Sequence, residues 1–156
     1  MRQSSKSKSK SGVTARVLLV DDNSDGLLVR KAILEEQGCV ITTATNGEEA
    51  LEAFTKGKFD LMITDFRMPK MNGIELIRRV RPAEPAVAII LISGFVEALG
   101  LDEKTTGADA VVNKGAHEIP NLLRSVTRLL ARQSAKKPPA SQKAAKAIVK
   151  ARAKSV

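Results

Sequence analysis

Five short apolar runs, each followed by a longer stretch with helical spacing, constrain this chain more than any other feature. "RVLLV" (16–20), "VITTA" (40–44), "FDLMIT" (59–64), "AVAIILI" (86–92) and "DAVVN" (109–113) are aliphatic or β-branched, as expected of strands buried on both faces of a sheet. Between them, "SDGLLVRKAILEEQG", "NGEEALEAFTKG", "NGIELIRRVRP" and "FVEALGLDEKTTG" place apolar residues three and four apart, and "IPNLLRSVTRLLARQ" does the same after the last run. Five helices are therefore expected, with Ser24 and Asn46 as caps and Gly38, Gly57 and Gly107 where helices stop. Parallel strands need a crossover connection, so the alternation implies an α/β fold: a parallel sheet with helices on both faces. Ligands of such sheets bind beyond the carboxyl ends of the strands, which makes those ends the places to search for function.

The strand ends carry a consistent chemistry. "LLVDDN" puts Asp21 and Asp22 after the first strand, "MITD" puts Asp65 after the third, "LISG" puts Ser93 after the fourth and "VVNKG" puts Lys114 after the fifth. A carboxylate such as Asp65 at the end of a buried run is costly unless neighbours make its charge useful. Carboxylates crowded together repel unless a cation joins them, and hard oxygen ligands with room for water and phosphate oxygens suit Mg²⁺. One carboxylate could then attack phosphorus while the ammonium and hydroxyl hold phosphoryl oxygens. Taken alone, Asp21 and Asp22 would serve equally to cap the following helix, and Ser93 could be a strand-end residue bonded to backbone. Met68 and Met71 are expected to pack, Pro69 and Gly73 to shape a loop, Gly94 to serve a turn, and Cys39 to fill the core. His117 has nothing nearby that marks it as reactive.

With "LLVDDN", "ITDFRMPKMNG", "LISG" and "GADAVVNKG" in this order, residues 15 to 131 strongly resemble the CheY-like receiver domain of two-component response regulators. The resemblance implies a flavodoxin-like doubly wound (βα)5 fold with a five-stranded parallel sheet in the order 2-1-3-4-5. It implies that Asp65 accepts a phosphoryl group from a histidine kinase or a small phosphodonor. Asp22 and Asp65 would bind Mg²⁺ directly, Asp21 largely through water, and the backbone carbonyl of Arg67 would be a further ligand. Ser93 and Lys114 would bind phosphoryl oxygens, with Ser93 moving inward on modification.

Two positions depart from the family pattern. Many receivers have Tyr or Phe three residues before the lysine, where this chain has Val111, and most have Pro after the lysine, where it has Gly115. Valine has no ring to rotate, so output would rely on Ser93 and the backbone. A cis bond before a non-proline residue costs about 2.5–4 kcal/mol, so a trans, looser loop is expected at Gly115. Phe95, two residues beyond Ser93, is expected to lie over the phosphoryl group and slow attack by water.

Charge divides the chain. Of 26 Lys and Arg, four lie in residues 1 to 15 and eight in residues 132 to 156, with no acid in either segment, leaving 14 bases against 17 acids between them. The expected organisation is a basic tail over 1–15, a mildly acidic receiver domain over 16–131 and a Lys/Ala/Pro-rich tail over 132–156, disordered or marginally helical. A lone cysteine and no apolar stretch near the roughly 18 residues that span a bilayer favour a cytoplasmic protein without a transmembrane segment. The expected function is that of a single-domain response regulator. It would catalyse only its own phosphorylation and dephosphorylation and signal by phosphorylation-dependent binding of an output protein. Alternatives are a phosphorelay intermediate serving a histidine phosphotransfer protein, and a phosphorylation-controlled binder of nucleic acid through the basic tails. Such tail binding would be nonspecific and would fall steeply with salt.

Overall fold

The computed structural model describes residues 14–136. The readings made for the tails at 1–13 and 137–156 lie outside the described residues. Elements follow in the order β1 (Arg16–Val20), α1 (Ser24–Glu36), β2 (Val40–Ala44), α2 (Gly47–Lys56), β3 (Leu61–Asp65), α3 (Gly73–Ala83), β4 (Ala88–Ser93), α4 (Val96–Leu99), α5 (Glu103–Thr106), β5 (Ala110–Asn113) and α6 (Glu118–Lys136). The strands form one parallel sheet in the order β2-β1-β3-β4-β5. The flavodoxin-like doubly wound architecture expected from the resemblance is therefore the one observed.

Alternation along each strand sends side chains to opposite faces, and each face has its own core. Val17, Leu19, Leu61, Ile63, Ile90 and Ile92 face Leu27 and Leu34 of α1 and Leu122, Val126 and Leu129 of α6. Leu18, Val20, Met62, Ile89 and Leu91 face Leu76, Ile77 and Val80 of α3, with Ala50 of α2 and Leu101. All of β3 and β4 is buried, which explains their unbroken apolar runs. Cys39, Met68 and Met71 pack in these cores.

Several boundaries differ from expectation for local reasons. β2 is an edge strand, mostly exposed rather than covered on both faces, and its threonines suit that position. β3 starts at Leu61, just after Asp60, whose carboxylate accepts the Arg16 N–H (2.9 Å), and it ends on Asp65 itself. β4 starts at Ala88 because Val87 is held in a turn by the Glu84 carbonyl (3.2 Å). Asn23, not Ser24, caps α1, its side chain accepting from the Asp25 and Gly26 N–H groups; Ser24 is the first helical residue. Asn46 caps α2 as expected.

The single helix expected over 95–107 is broken in two. Gly100, left-handed at φ 63°, ends α4, and Asp102 then starts α5 through reciprocal bonds with Thr105. Two local signals thus override an apolar spacing that ran through both. At the other end, α6 continues past the expected boundary at 131 to Lys136, with Leu129 buried and the Gln133 amide donating to the Ala86 carbonyl. Among the described residues, no helix is long and apolar enough to cross a membrane.

Candidate functional site

The parallel register carries the candidate residues to one edge of the sheet. Asp21 follows β1 directly, and its N–H still bonds the Ala44 carbonyl (3.1 Å), extending the ladder by one step. Asp65 ends β3 opposite Ile92, and the next N–H, of Phe66, bonds the Ile92 carbonyl (2.8 Å). Ser93 ends β4, and its carbonyl accepts the Lys114 N–H (2.9 Å). Each side chain thus departs from a hydrogen-bonded strand end rather than from a free loop.

Asp21, Asp22 and Asp65 each offer an oxygen within 4.8 Å of the others. Asp21 and Asp65 are buried, at 2% and 4% exposure, while Asp22 is open to solvent. The Lys114 ammonium lies 2.7 Å from Asp65 Oδ1. Beyond this short ion pair the buried Oδ1 meets no hydrogen-bond donor among the described residues. Burial pushes the Asp65 carboxyl above its ordinary range; Lys114 pulls it down, the Asp21 charge pushes it up, and Arg30 also pulls it down. Three clustered carboxylates, one with a buried oxygen met only by the Lys114 ammonium, form a hard-oxygen set that fits Mg²⁺.

The loop after Asp65 is shaped by close contact. Gly73 passes directly under the strand end, its N–H bonding the Phe66 carbonyl (2.8 Å), and Asn72 and Glu75 form a reciprocal cap on α3. Arg67 and Asp22 border one open pocket of about 430 Å³, with Met68 and Leu99 in its wall. The Arg67 guanidinium stacks 4.3 Å over the Phe95 ring, which is 39% exposed. The Ser93 hydroxyl accepts the Phe95 N–H (2.9 Å), the backbone-bonded alternative for that residue. Val111 is half-buried against the α3-side core, and Gly115 has φ 147° with no cis bond among the described residues. His117 is exposed.

Two residues of the site went unnoticed in the sequence. Arg30 of α1 is 7% exposed, its Nη1 donating to Asp21 Oδ2 (2.6 Å) and its Nε to Glu118 Oε2 (2.8 Å) at the start of α6. Burial works against its charge, yet the Glu118 and Asp21 carboxylates hold the guanidinium above its ordinary range. The missed signal is spacing: Arg30 lies three residues after Leu27 and four before Leu34, on the stripe that α1 buries.

Comparison with known proteins places this arrangement. The family model described as the response regulator receiver domain matches residues 17–127. The virulence sensor protein BvgS of Bordetella bronchiseptica is 34% identical over 147 residues, covering 89% of this chain and 12% of that protein, so the chain spans only a small part of its length. The response regulator receiver protein CpdR of Brucella abortus is 31% identical over 74% of this chain and 96% of its own. The response regulator TrrA of Thermotoga maritima, solved in complex with Mg(2+)-BeF, superposes with a TM-score of 0.66 at 34% identity, covering 74% of this chain and 99% of its own. TrrA in complex with the histidine kinase ThkA gives a TM-score of 0.67 at 35% identity, covering 75% and 99%.

Proposed function

The chain belongs to the response regulator receiver domain family, and from that premise we propose that it accepts a phosphoryl group on Asp65 in a Mg²⁺-dependent reaction and signals by changing its affinity for a partner. The observation that carries this reading is the buried Asp65 carboxylate set among Asp21, Asp22 and Lys114. Asp21, Asp22 and Asp65 would hold the metal with the Arg67 carbonyl, and bound Mg²⁺ would supply positive charge opposite the phosphoryl oxygens.

The residues of the chain have separable tasks. An Asp65 oxygen attacks phosphorus, an O–P bond forms, and the bond to the donor imidazole or acyl oxygen breaks, the leaving group taking the electron pair. Lys114, already paired with Asp65, pairs with the incoming phosphoryl oxygens, and Ser93 gives its hydroxyl to them after releasing the Phe95 N–H. The complex of TrrA with ThkA supports a histidine kinase as donor. The Ser93 rearrangement supplies a route to the Phe95 segment and α4, where Leu99 is exposed. Output is then read by a partner on this side of the domain.

Incubation with acetyl phosphate and Mg²⁺, followed by intact mass measurement, tests the reading. The parent protein should gain one phosphoryl group and Asp65→Ala none. Equal labelling of the two, or labelling of neither, overturns it.

A further inference from the structure

Arg30 ties the acidic site to a distant helix. Both Asp21 oxygens are engaged: Oδ1 accepts the Asn23 N–H (3.0 Å) and Oδ2 accepts Arg30 Nη1 (2.6 Å). The same guanidinium holds Glu118, the first residue of α6 and 88 positions away in the chain, through Nε. The chain is built to admit it. Helical side chains lean toward the N-terminus, so Arg30 runs back over Gly26, one turn earlier. A Cβ at Gly26 would lie 3.0 Å from Asp21 Oδ2 and 3.2 Å from Arg30 Nη1. Gly26 lies in the first turn of α1, and its lack of a side chain leaves open the space that the ion pair fills.

Such an arrangement has two consequences. A buried guanidinium competes with any cation for the Asp21 carboxylate, because the charge that attracts one is already partly neutralised by the other. A guanidinium shared between two carboxylates also makes the hold on Glu118 depend on the hold on Asp21. We propose that Arg30 is a positioning residue that couples metal occupancy of the Asp21–Asp22–Asp65 site to the first turn of α6 through Glu118. When the metal draws on Asp21, Arg30 shifts its bonding toward Glu118 and tightens the α1–α6 contact; when Glu118 is lost, Arg30 closes fully on Asp21 and the site takes the metal less readily. This inference rests on the proposed Mg²⁺ site and adds to it a route to the α1–α6 face that does not pass through Ser93.

Glu118 touches Arg30 but is not placed in the acidic cluster, so it offers a clean lever. Calorimetric Mg²⁺ titrations of the parent, Glu118→Gln, Arg30→Met and the double variant form a cycle, with amide hydrogen exchange at Glu118, Ile119 and Asn121 followed in each with and without Mg²⁺. Glu118→Gln is expected to weaken Mg²⁺ binding about fivefold, the scale of a 1 kcal/mol coupling, and to have no effect once Arg30 is Met. Exchange at the start of α6 should slow with Mg²⁺ in the parent and be indifferent to it in both single variants. Should Arg30→Met fail to fold, the exchange response of Glu118→Gln decides: its loss supports the coupling and its persistence overturns it. Equal Mg²⁺ affinity in the parent and Glu118→Gln, or the same loss in both backgrounds, overturns the coupling while leaving the metal site standing. A parent that does not bind Mg²⁺ overturns the proposed function and this inference together.

Discussion

A Cβ built on Gly73 would lie 2.4 Å from the carbonyl oxygen of Asp65, and 2.7 Å from the Leu91 side chain. No real Cβ sits that close to backbone, so the loop and the strand end must part if Gly73 acquires a side chain. Gly73→Ala is therefore expected to destabilise the domain by about 1–3 kcal/mol. Because the atom displaced belongs to Asp65, the variant should also label more slowly with acetyl phosphate than its stability loss explains. Urea midpoints alongside initial labelling rates check both, and an unchanged rate in the folded variant would show that the contact does not set the position of Asp65.

The Asp65 carboxylate is ionised at a cost. Burial and the Asp21 charge both disfavour its charged form, and Lys114 offsets them only in part because its own side chain is 39% exposed. Replacing Asp65 by Asn keeps the shape and removes that charge. In buffer containing a chelator, Asp65→Asn should be more stable than the parent by about 1 kcal/mol or more, the scale of relieving one badly placed buried polar group. Thermal melts read the shift, and adding Mg²⁺ should raise the Tm of the parent far more than that of the variant.

The charged cap of α5 responds to acid in the opposite, more usual direction. The Thr105 N–H and hydroxyl hold the Asp102 carboxyl below its ordinary range. A carboxyl whose folded pKa is lowered contributes stability that is present above its ordinary value of 3.8 and is lost as pH falls through the folded value. Acidification from pH 5 should therefore loosen the 102–107 segment, with faster amide exchange at Thr105 after correction for intrinsic rates. Asp102→Asn, which still caps but cannot be protonated, should remove that pH dependence.

How much of this was legible depended on whether the determining contact was local. The β1 and β2 limits, the Asn46 cap and the gathering of Asp21, Asp22, Asp65, Ser93 and Lys114 at one sheet edge follow from period and order alone. The break after Leu99 was also written locally, in Gly100 and in Asp102 three residues before Thr105, but an apolar period crossing it masked the signal. Arg30 was a different case. A single arginine in a helix reads as solvated, and only its position on the Leu27–Leu34 stripe marks it as turned inward. Its partner Glu118 comes from another element altogether, and no sequence period joins the two.

Phe95 and Arg67 stack on each other, each two positions beyond a residue of the proposed site, Ser93 and Asp65 respectively. An exposed cation–π contact contributes about 0.5–1 kcal/mol, which sets the scale on which the pair holds itself closed. Phe95→Ala frees Arg67; if the stacked pair screens Asp65 from water, the phosphorylated variant should lose its phosphoryl group about two- to fivefold faster than the parent, by the same energy scale. Arg67→Met, which keeps an apolar chain against the ring, should fall between them. Decay of the phosphorylated species after removal of the donor measures this, and equal half-lives would show that the stacked pair does not screen the site.

Gly115 presents strain without a clash. Its φ of 147° lies where L-residues rarely go, yet a Cβ there would meet nothing within 4 Å. Substitution therefore fails through backbone conformation alone, and the loop can relax only by rotating the peptide that follows Lys114. Gly115→Ala should cost about 1–3 kcal/mol of stability. Gly115→Pro, whose ring fixes φ near −65°, requires a different loop altogether and should cost more. The Gly115 carbonyl also accepts the Glu118 N–H (3.2 Å), so either change should disturb the start of α6 as well as Lys114. Urea denaturation ranks the variants, and exchange at the Glu118 amide reports the loop. A fully stable Gly115→Pro protein would mean that the left-handed loop is not required by the fold.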